Sequence, residues 1–406
     1  MQTRTAARPG PGFVEFVVMI ALMISMVALA IDAMLPALPA IAADLGVENL
    51  NDSQFVITVF FAGMALGQIF FGPLSDAVGR RPAIIAGLCL LAAGSLLSLF
   101  AVDFSQMLLG RLLGGMGAAG PRIVSVALVR DRYRGREMAR VMSFVMTVFI
   151  LVPVFAPAVG QGILLFASWH YIFGLFVALA FGVGSWFWIR QPETLAPQSR
   201  SSFSFAGLAL DTLAILRQRA ALGYALTMGF VFGAFIGYLS SSQQIFQIQY
   251  ALGELFPLYF GILASIIGLA SMVNAQLVMR LGMRRLSRLA LQVMCLLSAA
   301  FFVFAWYYGG HPHLLWLMLY LLPLFFCFGL LFGNLNSMAM EPLGHIAGLG
   351  SAVVGSLATF LSAFFGSLVS NAYDGTVLPL VLGFALLGVA SLAIMMWTES
   401  GLEAED

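Results

Sequence analysis

Twelve stretches of this chain are apolar over about 20 residues, the length a helix needs to cross the hydrocarbon core of a bilayer. They run approximately over 13–38, 52–73, 82–101, 104–129, 139–164, 170–189, 220–247, 255–279, 287–308, 313–338, 348–372 and 377–397. So many runs of that length predict an all-α membrane protein with twelve transmembrane helices. Composition agrees: 9% of the 406 residues are charged, against roughly a quarter in a soluble domain. A soluble enzyme and a disordered chain are both excluded. The first run is too long, and too polar in its second half, for a cleaved signal peptide, and it lacks a small-residue cleavage site, so it counts as a span.

All 19 basic residues are arginine. Without lysine there is no P-loop lysine, which an ATP-driven pump would need, and no Schiff-base lysine. Codon bias is the simplest cause of the absence. Seventeen of the arginines fall in alternate loops: Arg4 and Arg8; Arg80 and Arg81; Arg130, Arg132, Arg134, Arg136 and Arg140; Arg190, Arg200, Arg217 and Arg219; Arg280, Arg284, Arg285 and Arg288. The intervening loops carry Asp44, Glu48, Asp52, Asp103, Glu254 and Asp374 instead. The positive-inside rule then places both termini in the cytoplasm. An error of one span would scramble this alternation, so it also supports the count of twelve.

The longest non-apolar stretch, 191–219, divides the chain into an N-terminal six-helix bundle (1–190) and a C-terminal one (220–406). Within it, Phe203 to Leu216 is apolar enough for an amphipathic helix on the membrane face, with a flexible tether as the alternative. The halves echo one another. Gly79-Arg80-Arg81 after the second span matches Gly282-Met283-Arg284-Arg285 after the eighth. With six-plus-six topology this suggests a duplicated bundle.

Charge inside a membrane is costly and is a functional hypothesis by default. Asp32 lies about two turns below the outer end of the first span, and Arg111 lies at a similar depth in the fourth. If those helices are neighbours, the two can form either a proton-coupling pair or a static buried ion pair. Arg122 follows Arg111 by eleven residues, about three turns, so both project from one face. Glu15, a carbonyl or cavity water are its candidate partners. Gly114 and Gly115 belong to a glycine-rich stretch of span 4 that suits close helix packing.

The seventh span ends in Ser240, Ser241, Ser242, Gln243, Gln244, Gln247 and Gln249. These either mark a helix end entering the interface or line a substrate cavity opposite Asp32, with Phe235 and Tyr238 as aromatic wall. Glu341, near Asn334 and Asn336, is either a gate residue or simply solvated. The 36 Phe and 21 Met show no periodicity that singles out a pocket. Cys89, Cys295 and Cys327 read as small buried hydrophobes. No metal-ligand or catalytic-triad spacing is present, so no metal, no catalytic residue and no enzyme activity is expected. A net charge of +1 gives no reason to expect nucleic acid.

Gly72-Pro73-Leu74-Ser75-Asp76-Ala77-Val78-Gly79-Arg80-Arg81-Pro82 resembles the loop between helices 2 and 3 that marks the major facilitator superfamily. There, Asp76 with Arg80 and Arg81 would latch the cytoplasmic side, although Ala77 replaces a usual basic residue. Arg111-Leu112-Leu113-Gly114-Gly115-Met116-Gly117 looks like the family's helix 4 motif, whose arginine is linked to proton transfer; Gly114 stands where a glutamine is usual. Ala156-Pro157-Ala158-Val159-Gly160-Gln161 is similar to the proline-kinked antiporter motif, with departures at Ala156 and Gln161.

The segments 32–39, 120–122 and 341–348 resemble the Bcr/CflA branch of drug:proton antiporters. The resemblance implies a monomeric twelve-helix rocker-switch exporter in the bacterial inner membrane. It would exchange small amphipathic compounds for protons, with the proton gradient as energy source and no cofactor. A dedicated metabolite or siderophore exporter, or a proton-coupled uptake symporter, is the alternative on the same fold. A non-transporting receptor or embedded enzyme is a third reading that no motif favours.

Overall fold

The computed structural model describes residues 10–200 and 205–402. Among them are twelve helices long and apolar enough to span a membrane, and no strand. In chain order they are α1 (Phe13–Asp32), α2 (Phe55–Val78), α3 (Arg80–Leu99), α4 (Phe104–Arg132), α5 (Gly135–Phe166) and α6 (His170–Arg190), then α7 (Arg219–Gln243), α8 (Phe256–Leu281), α9 (Met283–Tyr307), α10 (Leu314–Met340), α11 (Ala347–Asn371) and α12 (Leu378–Leu402). Helices α1–α6 pack mainly on one another, as do α7–α12. The halves meet along two seams, α2 against α11 and α5 against α8. Both seams join the second helix of one half to the fifth of the other. That is the relation a two-fold exchange of halves requires.

Helix α1 is shorter than its apolar run. It ends at Asp32, and a 3₁₀ turn over Leu35–Ala37 leads into a short helix, Leu38–Asp44. Pro36 and Pro39 explain the break, because proline lacks the N–H that a continuing helix would donate and disfavours helical geometry in the residue before it. The chain runs helically to Asp44, so Asp32 sits deeper than two turns from the outer end. Between the halves, Phe205–Arg217 is helical.

The turns that echo in sequence also match in conformation. Gly79 ends α2 with φ 111° and ψ 159°, and Gly282 ends α8 with φ 75° and ψ 157°. Residues with a Cβ rarely adopt that region. The cysteines depart from expectation: Cys327 is buried, but Cys295 is intermediate and Cys89 exposed. On a spanning helix, exposure means facing lipid.

Candidate functional site

At the break after α1 the backbone itself is crowded. A Cβ on Gly160 of α5 would overlap the Ala33 carbonyl oxygen, so glycine there lets α5 close against the end of α1. Pro157, one turn earlier in α5, belongs to the same stretch. Gly160 packs on Ala33 and Pro36, directly against the α1 break.

Asp32 is 4% exposed, and its carboxylate forms no ion pair or hydrogen bond among the described residues. It lies within electrostatic range of Tyr238 on α7, across the divide between the halves. The turn Leu35–Ala37 packs directly on α7. The Tyr238 hydroxyl is also buried without a hydrogen-bond partner. Around it stands an aromatic wall. Phe235 lies 6.0, 5.7 and 5.4 Å from Phe325, Phe328 and Phe332 of α10, and Tyr238 lies 4.7 Å from Phe325. These three phenylalanines recur at i, i+3 and i+7, one face of a helix. That spacing is a signal the sequence carries and the reading above missed.

Arg111 is not the partner of Asp32. Its Nε donates to the Val56 carbonyl and its Nη2 to the Ala30 carbonyl, each at 3.0 Å, and its guanidinium lies 4.3 Å from the Phe60 ring centroid. The physical reason is the end of α1. The last four carbonyls of a helix lack intrahelical donors, and Arg111 supplies one where no water is available. Arg122 reaches the same neighbour, α2, with Nη1 3.3 Å from Met64 Sδ, so both arginines do share one face of α4. Glu15 is not available to Arg122. It pairs with Arg190 at 2.6 and 2.8 Å and accepts from Trp186 at 3.1 Å. Gly114 packs toward α3, and Gly115 meets the α2 backbone at Phe60.

At the face bearing the chain ends, Arg80 is the hub. Its side chain contacts Asp76, donates to Asp131 at 2.9 Å and to the Ser75 hydroxyl at 2.8 Å. The Glu193 carboxylate accepts from the backbone N–H groups of Arg80 and Arg81, both at 3.0 Å. It thereby caps the positive end of α3. Arg81 lies over the Trp188 ring at 3.9 Å. All of these partners belong to the first half and its exit, so the expected latch does not cross the divide among the described residues. Gly72 does meet the second half, because a Cβ there would lie 3.3 Å from Ala352 of α11. Glu341 is exposed. Asp131 and Glu193 were missed, although an acid inside an arginine-rich loop is a visible counter-ion signal.

At the opposite face, Gln243 donates to Gln247 at 3.0 Å and Gln247 to the Gly253 carbonyl at 3.2 Å. Gln244 donates to Asn51 of the first half at 2.9 Å. The glutamines Gln243, Gln244 and Gln247 are thus engaged in protein hydrogen bonds, whereas the Ser240 hydroxyl is buried without a partner, and Asn51 joins the missed residues.

Comparisons place this geometry. The family profile described as Major Facilitator Superfamily matches residues 19–367. An uncharacterized MFS-type transporter, YdgK, of Bacillus subtilis is 30% identical over 91% of this chain and 92% of its own. A bicyclomycin resistance protein homolog of Haemophilus influenzae is 26% identical over 92% of this chain and 94% of its own. The crystal structure of a peptide transporter, POT, in complex with sulfate superposes with a TM-score of 0.73 at 15% identity, covering 97% of this chain and 96% of that one.

Proposed function

Because this chain belongs to the Major Facilitator Superfamily, we propose that it is a proton-coupled exporter of small amphipathic, drug-like compounds. It works by alternating access of two bundles, 1–190 and 220–406, joined by 191–219. The observation that carries this reading is Asp32: a buried acid without a counter-ion, facing an aromatic wall on the other bundle. Leaving an isolated charge there is costly, so Asp32 favours either a proton or a bound cation. Occupancy by one excludes the other, and such exclusion is what antiport needs. The aromatic wall offers apolar contact and cation–π attraction to an amphipathic guest.

Export rather than uptake is favoured by the bicyclomycin-resistance name of the Haemophilus influenzae relative. The arginine pattern supports both termini on the cytoplasmic side, and we read the chain as a monomer in the inner membrane, as its family resemblance implies. Arg111 holds the end of α1 beneath Asp32, and Arg122 offers a cationic wall for polar groups of a substrate. The test is transport of cationic, neutral and anionic drugs into proteoliposomes under an imposed pH gradient. Asp32→Asn is expected to abolish gradient-driven transport while leaving folded protein in the membrane. Normal transport by this variant overturns the assignment.

A further inference from the structure

Helix α7 gives way after Gln243 to a π-helical turn over Gln244–Gln249. The wider π-turn, a geometry often found at functional positions, carries Gln244 to the seam between the bundles. There the Gln244 Nε2 donates to Asn51 Oδ1 at 2.9 Å, and Gln54 donates to Gln244 Oε1. Asn51 Nδ2 donates onward to the carbonyls of Asn371 and Tyr373, at 3.1 and 2.8 Å. The Tyr373 hydroxyl closes the ring, donating to the Gln244 carbonyl at 3.4 Å. Gln54 and Gln244 are 0% and 3% exposed.

Every member of this ring is uncharged. Two acids adjoin the ring in sequence, Asp52 beside Asn51 and Asp374 beside Tyr373; Asp374 is turned back onto Thr376, accepting from its N–H at 3.0 Å and its hydroxyl at 2.7 Å. Burial, with Asp374 beside it, holds the Tyr373 phenol above the ordinary tyrosine range, so it stays a donor.

The geometry points to Asn51 and Gln244 as positioning residues of the transport cycle, closing the face opposite the termini with a neutral amide latch between the bundles. This rests on the alternating-access reading above. A latch of neutral amides biases the closed state without locking it, because water entering on opening can hydrate each group. A buried ion pair in the same place would first have to repay the desolvation of two charges.

The experiment is a distance measurement that needs no substrate. Spin labels are placed at Glu48 on the first bundle and Glu254 on the second, after replacement of Cys89, Cys295 and Cys327. Distance distributions are recorded in nanodiscs at pH 5 and pH 8. Asn51→Leu and Gln244→Met, which keep side-chain size but lose the hydrogen bonds, are each expected to populate a longer distance. The closed-to-open ratio should fall about fivefold per bond lost. Because the two side chains share a bond, the double variant should fall short of the product of the single effects. If either single variant folds poorly, the other carries the test. Variants that keep the wild-type distribution overturn the latch. If no sample shows a second distance at either pH, the two-state reading falls with it.

Discussion

Arg111 shows how a buried cation is satisfied without a counter-ion. It spends its bonds on two carbonyls from two helices, Ala30 and Val56, and so ties α1 to α2 through α4. Residue counting put Arg111 at a depth similar to that of Asp32, and Arg111 does reach Ala30, two residues before it, although both lie deeper than the count from the outer end implied. Azimuth was not legible, because it depends on which neighbours α1 acquires. Asp32 lies two residues past Ala30, about 200° around an ideal helix, and faces the second half. If the two residues are independent, Arg111→Met should cost about 2 kcal/mol and should add to the effect of Asp32→Asn within about 0.5 kcal/mol. A thermal-unfolding double-mutant cycle reads this directly. A coupling of several times that size restores the ion pair.

Among the elements, the helices were legible because a run of 20 apolar residues has few alternatives, and their boundaries fell within six residues of the observed ends. The break in α1 was less so, although Pro36 and Pro39 announce it. The turn after α2 and its counterpart after α8 are the clearest case of a short pattern carrying geometry. Both glycines occupy a region that costs a Cβ-bearing residue about 1–3 kcal/mol, yet their surroundings differ. A Cβ on Gly79 would meet the Glu193 carboxylate at 2.5 Å, whereas Gly282 has open space. Gly79→Ala should therefore lower the melting temperature more than Gly282→Ala, which bears the backbone cost alone. Equal losses would mean that Glu193 yields freely and does not hold the linker against α3.

For the whole molecule, six-plus-six organisation was legible in the arginine alternation and the long polar stretch. The seams were not. Residues such as Asn51, Gln54 and Tyr373 acquire meaning only once two bundles dock, and nothing in their own segments announces a partner 190 or more positions away in the chain. The facing of Asp32 and Tyr238 was one of two readings that the polar end of the seventh span left open, and docking of the bundles selects it.

The solitude of Asp32 has an electrical consequence. Among the described residues the other buried acid, Glu399, is already paired with Arg288, so the proposed exchange has one free carboxylate to carry a single proton. Exchanging that proton for a monovalent cation moves no net charge, and the membrane voltage then does no work on the cycle. Exchanging it for a neutral compound carries one charge inward, worth about 2.3 kcal/mol per 100 mV. A potassium–valinomycin potential, negative inside, should thus accelerate export of neutral compounds and leave monovalent cations unaffected. Voltage-driven export of a monovalent cation would mean a second proton site beyond Asp32.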